Sequence, residues 1–138
     1  MIVDTSALVA ILRQEPEQSS FAKILDDAET LRMSAATYLE LSIVIGSRRD
    51  SSMGRMIDDL LDRFSIEIEP VTVEQALIAL EAYRDYGRLS GHPANLNFGD
   101  CFSYALARAK REPILFKGDD FGHTDLRPSA TVRLRDAE

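Results

Sequence analysis

The chain has 138 residues, 45% hydrophobic and 28% charged, and its 16 basic against 23 acidic side chains give a net charge of −7. This length and near-average composition exclude a disordered or fibrous chain and lead us to expect one domain over residues 1–138. The single cysteine, Cys101, excludes an internal disulfide and a cysteine-built zinc site, and the acidic balance excludes a surface that attracts phosphate backbones by overall charge alone.

Met1 to Val3 reads as a short strand, with no basic segment ahead of it to suggest a signal peptide. Ala7, Leu8, Ile11 and Leu12 recur at helical spacing, so the chain turns into a helix at Asp4-Thr5-Ser6. That uncharged run, Thr5 to Leu12, falls far short of the roughly 20 apolar residues that span a bilayer. The expectation is a cytoplasmic protein with no membrane contact. Pro16 ends or restarts the helix, and Phe21, Ile24 and Leu25 continue it. Leu31 to Ala35 is a second strand. Ala36 to about Ser47 is a helix with Tyr38, Leu41, Val44 and Ile45 as its apolar face. From Ser52, the residues Met53, Met56, Ile57, Leu60, Leu61 and Phe64 give an amphipathic helix. Ile66 to Pro70 alternates as a half-exposed strand. Val73 to Tyr86 is helical through Ala76, Leu77, Leu80 and Tyr83. A loop covers 88–98, a helix Gly99 to Arg111, a buried strand Pro113 to Phe116, and a last strand Thr131 to Leu134. Strands separated by helices, without tight hairpins, predict an α/β fold: three layers, α/β/α, around a mainly parallel sheet.

Ligands of such sheets bind beyond the carboxyl ends of the strands. Asp4 directly follows the first strand, and Glu40 lies one turn into the helix after the second. Asp100 opens the helix after the 88–98 loop, and Asp119 and Asp120 follow the strand ending at Phe116. Each acid alone has an ordinary reading. Asp4 and Asp100 suit helix capping, Glu40 a solvated helix face, and Asp119-Asp120 a turn. Together they bring carboxylates from four elements to one sheet edge. Clustered carboxylates repel one another unless a cation offsets their charge. Oxygen-only ligands suit Mg²⁺ or Mn²⁺, which clamp phosphoryl oxygens and activate water. The residues therefore point to metal-dependent phosphodiester hydrolysis. The products expected are a 5′-phosphate and a 3′-hydroxyl. With only His92 and His123, both in loops, a histidine-based mechanism is disfavoured. Cys101 reads as a small buried hydrophobe and Asp125 as a turn residue.

Four segments carry a family resemblance: Met1-Ile2-Val3-Asp4-Thr5-Ser6-Ala7-Leu8, Ser34-Ala35-Ala36-Thr37-Tyr38-Leu39-Glu40, Leu96 through Ala105, and Leu115-Phe116-Lys117-Gly118-Asp119-Asp120-Phe121. In this order and spacing, over residues 1 to 126, the chain resembles PIN-domain proteins, especially VapC toxins of bacterial toxin–antitoxin pairs. The resemblance implies a PIN-like ribonuclease fold in which Asp4, Glu40 and Asp100 form the acidic core. Asp119 is the fourth acid, with Asp120 as alternate, and Ser6 is a supporting hydroxyl. It implies a Mg²⁺- or Mn²⁺-dependent endoribonuclease that cleaves RNA and stops translation. A cognate VapB antitoxin and a homodimer are implied as partners.

Two other site types fit poorly. A receiver-type domain needs an acceptor Asp after its third strand, where Pro70-Val71-Thr72 stands, and a haloacid-dehalogenase-type phosphatase needs an Asp where Ser6 stands. The alternative kept open is a non-catalytic PIN scaffold that binds a partner. Arg13, Arg48, Arg49, Arg84 and Arg88 are candidates to contact RNA phosphates around the site.

Overall fold

A computed structural model describes residues 1–46 and 51–126. In chain order the elements are β1 (Ile2–Val3), α1 (Thr5–Leu12), α2 (Gln18–Asp27), β2 (Leu31–Ser34), α3 (Ala35–Gly46), α4 (Ser51–Arg63), β3 (Ile66–Glu69), α5 (Val73–Tyr86), α6 (Phe98–Lys110) and β4 (Ile114–Leu115). A short 3₁₀ turn at Asp120–His123 follows. The sheet runs β3-β2-β1-β4, and every pairing between neighbours is parallel. The two shortest strands, β1 and β4, pair with each other through Ile2–Ile114 and Val3–Leu115. All four strands point their carboxyl ends the same way, and the site lies at that edge.

Successive strand residues face opposite sides of a sheet, and β1 shows this in two residues. Val3 belongs to a core shared with Leu8, Ile11, Phe21, Leu41, Ile57 and Phe64, contributed by α1 to α4. Ile2 belongs to a second core with Ala82, Leu96, Leu106 and Phe116 on the α5–α6 side. These two cores make the three layers expected from the sequence. Both β1 side chains are fully buried, as a central strand covered on both faces requires.

Several boundaries and faces differ from the sequence reading. The chain leaves α1 through Gln14 at φ 54°, so α1 and α2 are separate helices. In α3 the buried stripe is Thr37, Leu41 and Ile45, whereas Val44 faces outward. In α5 the residues that mark the helical spacing, Leu77 and Leu80, are exposed, and Gln75 and Ala82 are buried. The helix has two apolar stripes, and the one with Ile78, Ala79, Ala82, Tyr83 and Tyr86 is turned toward the α6 core. α6 starts at Phe98 and stops at Lys110, after which Arg111 takes a left-handed conformation at φ 55°. The proposed last strand, Thr131 to Leu134, lies outside the described residues. Among the described residues, no helix is long and apolar enough to cross a membrane.

The loop 88–97 is closed at its base. Arg88 N–H donates to Leu96 O at 3.0 Å, and Leu96 N–H donates to Tyr86 O at 2.8 Å. Ala94 and Leu96 are fully buried, so the loop delivers the start of α6 to a fixed place.

Candidate metal and active site

Asp4 is the residue at which β1 becomes α1. It is the helix N-cap, its side chain accepts from Ser6 N–H, and only 4% of it is exposed. Asp4 Oδ2 accepts from Ser6 N–H at 3.1 Å and from Ser6 Oγ at 2.7 Å. Asp4 Oδ1 accepts from Ser103 Oγ at 2.6 Å. Ser6 Oγ also accepts from Lys117 N–H at 2.9 Å, which ties the segment after β4 to the first turn of α1. Lys117 Nζ in turn pairs with Glu15 and Glu17.

Glu40 stands in the second turn of α3 and is partly buried. Thr5 Oγ1 donates to Glu40 Oε1 at 2.6 Å, linking the residue after Asp4 to this second acid. The other Glu40 oxygen lies against the backbone of Gly99. A Cβ there would overlap Oε2 and stand 2.7 Å from Cδ. Gly99 is thus the place where the Glu40 carboxylate rests on the α6 backbone, in the space a side chain would take.

Asp100 does not cap α6 as its sequence position suggests. Asn97 is the N-cap, and the two residues form a reciprocal capping box. Asp100 N–H donates to Asn97 Oδ1 at 2.8 Å, and Asn97 N–H donates to Asp100 Oδ2 at 2.9 Å. Burial first, then the charges of Asp4, Asp120 and Glu40, push the Asp100 carboxyl up to about 7, against the lowering effect of the Asn97 N–H. Acids from three other segments therefore act on Asp100 across this edge.

Of the two acids after β4, both exposed, Asp120 adds its charge to Asp100. Asp119 stands one residue earlier, exposed, before the 3₁₀ turn, and its side chain makes no cap hydrogen bond. The turn into both passes through Gly118 at φ 101°, a conformation that side chains disfavour. Asp125 is occupied elsewhere, by Tyr104 Oη at 2.7 Å and by the Arg108 guanidinium. Cys101 is buried, and burial beside Asp100 raises its thiol to about 11, so it stays protonated and unreactive. His92 serves its own loop, accepting from Ala94 N–H at 3.1 Å. Arg13, Arg84 and Arg88 are exposed, and Arg48 and Arg49 lie outside the described residues.

The donor set is oxygen-only and mutually repulsive, which suits a hard divalent cation. Among the described residues, no three His, Cys, Asp or Glu side chains are gathered tightly enough to make a metal cluster by themselves. Mg²⁺ often takes only one or two carboxylates and keeps several waters, so a compact cluster of three acids is not a requirement for it.

The sequence reading did not single out Thr5, Thr37, Asn97, Gly99 or Ser103. Two of the signals were present. Asn97 and Asp100 stand at capping-box spacing, and both acid-bearing helices carry a hydroxyl three residues from the acid, Thr37 before Glu40 and Ser103 after Asp100.

The PIN-domain family model matches residues 1–126. Over 124 residues the chain is 56% identical to ribonuclease VapC28 of Mycobacterium tuberculosis, covering 90% of this chain and 93% of that protein. Among solved structures, the fold matches Mycobacterium tuberculosis VapC20, described as a sarcin-ricin loop cleaving toxin. The TM-score is 0.69 at 19% identity, over 92% of this chain and 98% of that one. It also matches a toxin–antitoxin complex from Klebsiella pneumoniae with TM-score 0.63 at 16% identity, over 87% and 88% of the two chains. At these identities the structural likeness speaks for the fold.

Two outcomes follow from the geometry. Gly99→Ala leaves the fold intact, because the atom it displaces is the far end of a flexible side chain, but drives Glu40 out of position. Activity should fall by about 100-fold, the scale of a 1 Å misplacement, while the melting temperature holds; a parallel loss of both contradicts this. Separately, Asp100 is a carboxyl raised on folding from 3.8 to about 7. The folded metal-free protein binds more protons than the unfolded chain in that window, so this group's stabilisation fades as pH rises from about 4 to 7. Denaturant unfolding across that range should show a downward slope in the wild type that is weaker in Asp100→Asn. Equal slopes would remove the inferred shift.

Proposed function

The chain belongs to the PIN-domain family, among its VapC ribonucleases, and on that premise we propose that it is a Mg²⁺- or Mn²⁺-dependent endoribonuclease toxin acting in the cytoplasm. The observation that supports the metal dependence is the one edge at which Asp4, Glu40 and Asp100 are held wholly or partly buried by fixed donors, Ser6 and Ser103 on Asp4, Thr5 on Glu40 and the Asn97 N–H on Asp100, with burial pushing the Asp100 carboxyl up to about 7. Such a group is half protonated at neutral pH unless positive charge is brought to it. Asp4, Glu40 and Asp100 are the residues that hold the ion, with Asp120 or Asp119 as the fourth acid. When bound, a divalent ion offsets charge on the phosphoryl oxygens and makes water acidic enough to attack phosphorus.

The protein's own groups do the positioning. Ser6 N–H and Oγ fix one oxygen of Asp4, and Thr5 Oγ1 fixes one oxygen of Glu40. The Asn97 N–H fixes one oxygen of Asp100 and favours its charged form. Lys117, through its backbone N–H, holds the Gly118-Asp119-Asp120 turn against Ser6. The exposed Arg13, Arg84 and Arg88 are available to RNA phosphates and supply the positive charge that the net balance lacks.

The proposed partners are a VapB-type antitoxin and a second copy of the chain. Support for pairing comes from apolar side chains left outside. Val73 and Leu77 on α5 are 80% and 60% exposed, Phe98 is 76% exposed, and Leu80, Tyr83, Phe98 and Phe102 line an apolar groove between α5 and α6.

Incubation of total RNA with the purified protein should give discrete fragments with Mg²⁺ or Mn²⁺ and none with EDTA or in Asp100→Asn. The new ends should be a 5′-phosphate and a 3′-hydroxyl. Cleavage that survives EDTA, or 2′,3′-cyclic phosphate ends, would overturn the proposal. Light scattering tests the pairing: Leu77→Asp should convert a dimer to a monomer without loss of helical content, and an unchanged mass rules out this α5 surface.

A further inference from the structure

A buried hydroxyl pair behind Asp4 has no part in the acid set itself. Ser103 is fully buried and Thr37 is 1% exposed. Their hydroxyl oxygens are 3.2 Å apart, and Ser103 Oγ is 2.6 Å from Asp4 Oδ1. A hydroxyl carries one proton, and an ionised carboxylate only accepts. The Ser103 proton therefore goes to Asp4, and the Thr37 hydroxyl must be the donor to Ser103. The chain of bonds runs in one direction, from α3 through α6 to the end of β1.

Counting acceptor sites makes the consequence specific. Each carboxylate oxygen has two lone pairs. Asp4 Oδ2 is filled by the N–H and the hydroxyl of Ser6. Asp4 Oδ1 accepts from Ser103 and, among the described residues, has one lone pair left. We infer that Ser103, oriented by Thr37, is a positioning residue that presents the remaining lone pair of Asp4 Oδ1 to the divalent cation. The hydrogen bond aims that oxygen, and burial of both hydroxyls keeps water from competing for the same donor. The same pair couples the two acid-bearing helices to Asp4, since Thr37 lies one turn before Glu40 and Ser103 one turn after Asp100. This inference rests on the metal-dependent reading above.

The test uses the whole protein and Mn²⁺ alone as probe. Calorimetric titration should show Mn²⁺ binding weakened by about 10-fold or more in Ser103→Ala, the scale seen when a group orienting a metal ligand is removed. At saturating Mn²⁺, KM for RNA should stay at the wild-type value while kcat falls. Thr37→Val keeps the side chain's shape but removes its proton, and should weaken Mn²⁺ binding in the same direction. Thr37→Ser keeps the hydroxyl and should bind as wild type does. Wild-type Mn²⁺ affinity in folded Ser103→Ala overturns the inference. If Ser103→Ala does not fold, equal affinities in Thr37→Val and Thr37→Ser overturn it. A wild type that binds no Mn²⁺ instead overturns the metal-dependent reading itself.

Discussion

Repulsion among carboxylates held at one sheet edge is the constraint on which the rest of the structure depends. Asp4, Glu40 and Asp100 are wholly or partly buried, and Asp120 adds its charge to theirs. Left to itself, such a group spreads apart or takes up protons. The protein holds it together by giving the three buried acids fixed donors from its own chain. Asp4 has Ser6 and Ser103, Glu40 has Thr5, and Asp100 has the Asn97 amide. These bonds fix direction without cancelling charge, which is the basis of the proposed cation site.

The fold serves this arrangement through the centrality of β1. Both of its residues are buried, one in each core, and the parallel neighbours β2 and β4 end at the same edge. Asp4 therefore emerges from the most constrained point of the domain. The α6 helix reaches the edge by a different route, through the closed loop 88–97 and the Asn97 cap. Gly99 lets α6 approach α3 until Glu40 touches its backbone. Small residues and hydroxyls, rather than further charges, set the distances.

Much of this was readable in the sequence because it follows from local pattern. The α/β order came from apolar runs alternating with helical spacing, and the acids stood after strand ends. The sequence placed Leu41, Ile45 and Tyr38 of α3 correctly but not Val44, and it left the inward face of α5 open, for one physical reason. Each helix carries more apolar residues than one face holds, and periodicity does not say which stripe packs inward. Leu77 and Leu80 stay outside because the stripe of Ile78, Ala82 and Tyr86 is the one packed into the α6 core. Ser103 and Thr37 escaped notice because a buried hydroxyl has meaning only when its partner is known, and these partners lie 66 and 99 residues away in sequence. Asp119 and Asp120 are adjacent and both exposed, so neither spacing nor burial separates them.

The central claim is that this acidic edge gathers a divalent cation. Anomalous diffraction from crystals of the protein grown with Mn²⁺ at neutral pH tests it most directly. The account predicts a Mn²⁺ peak among Asp4, Glu40 and Asp100, with Oδ1 of Asp4 turned toward it. Crystals with no peak at that edge, at a Mn²⁺ concentration that supports RNA cleavage in solution, would contradict the account.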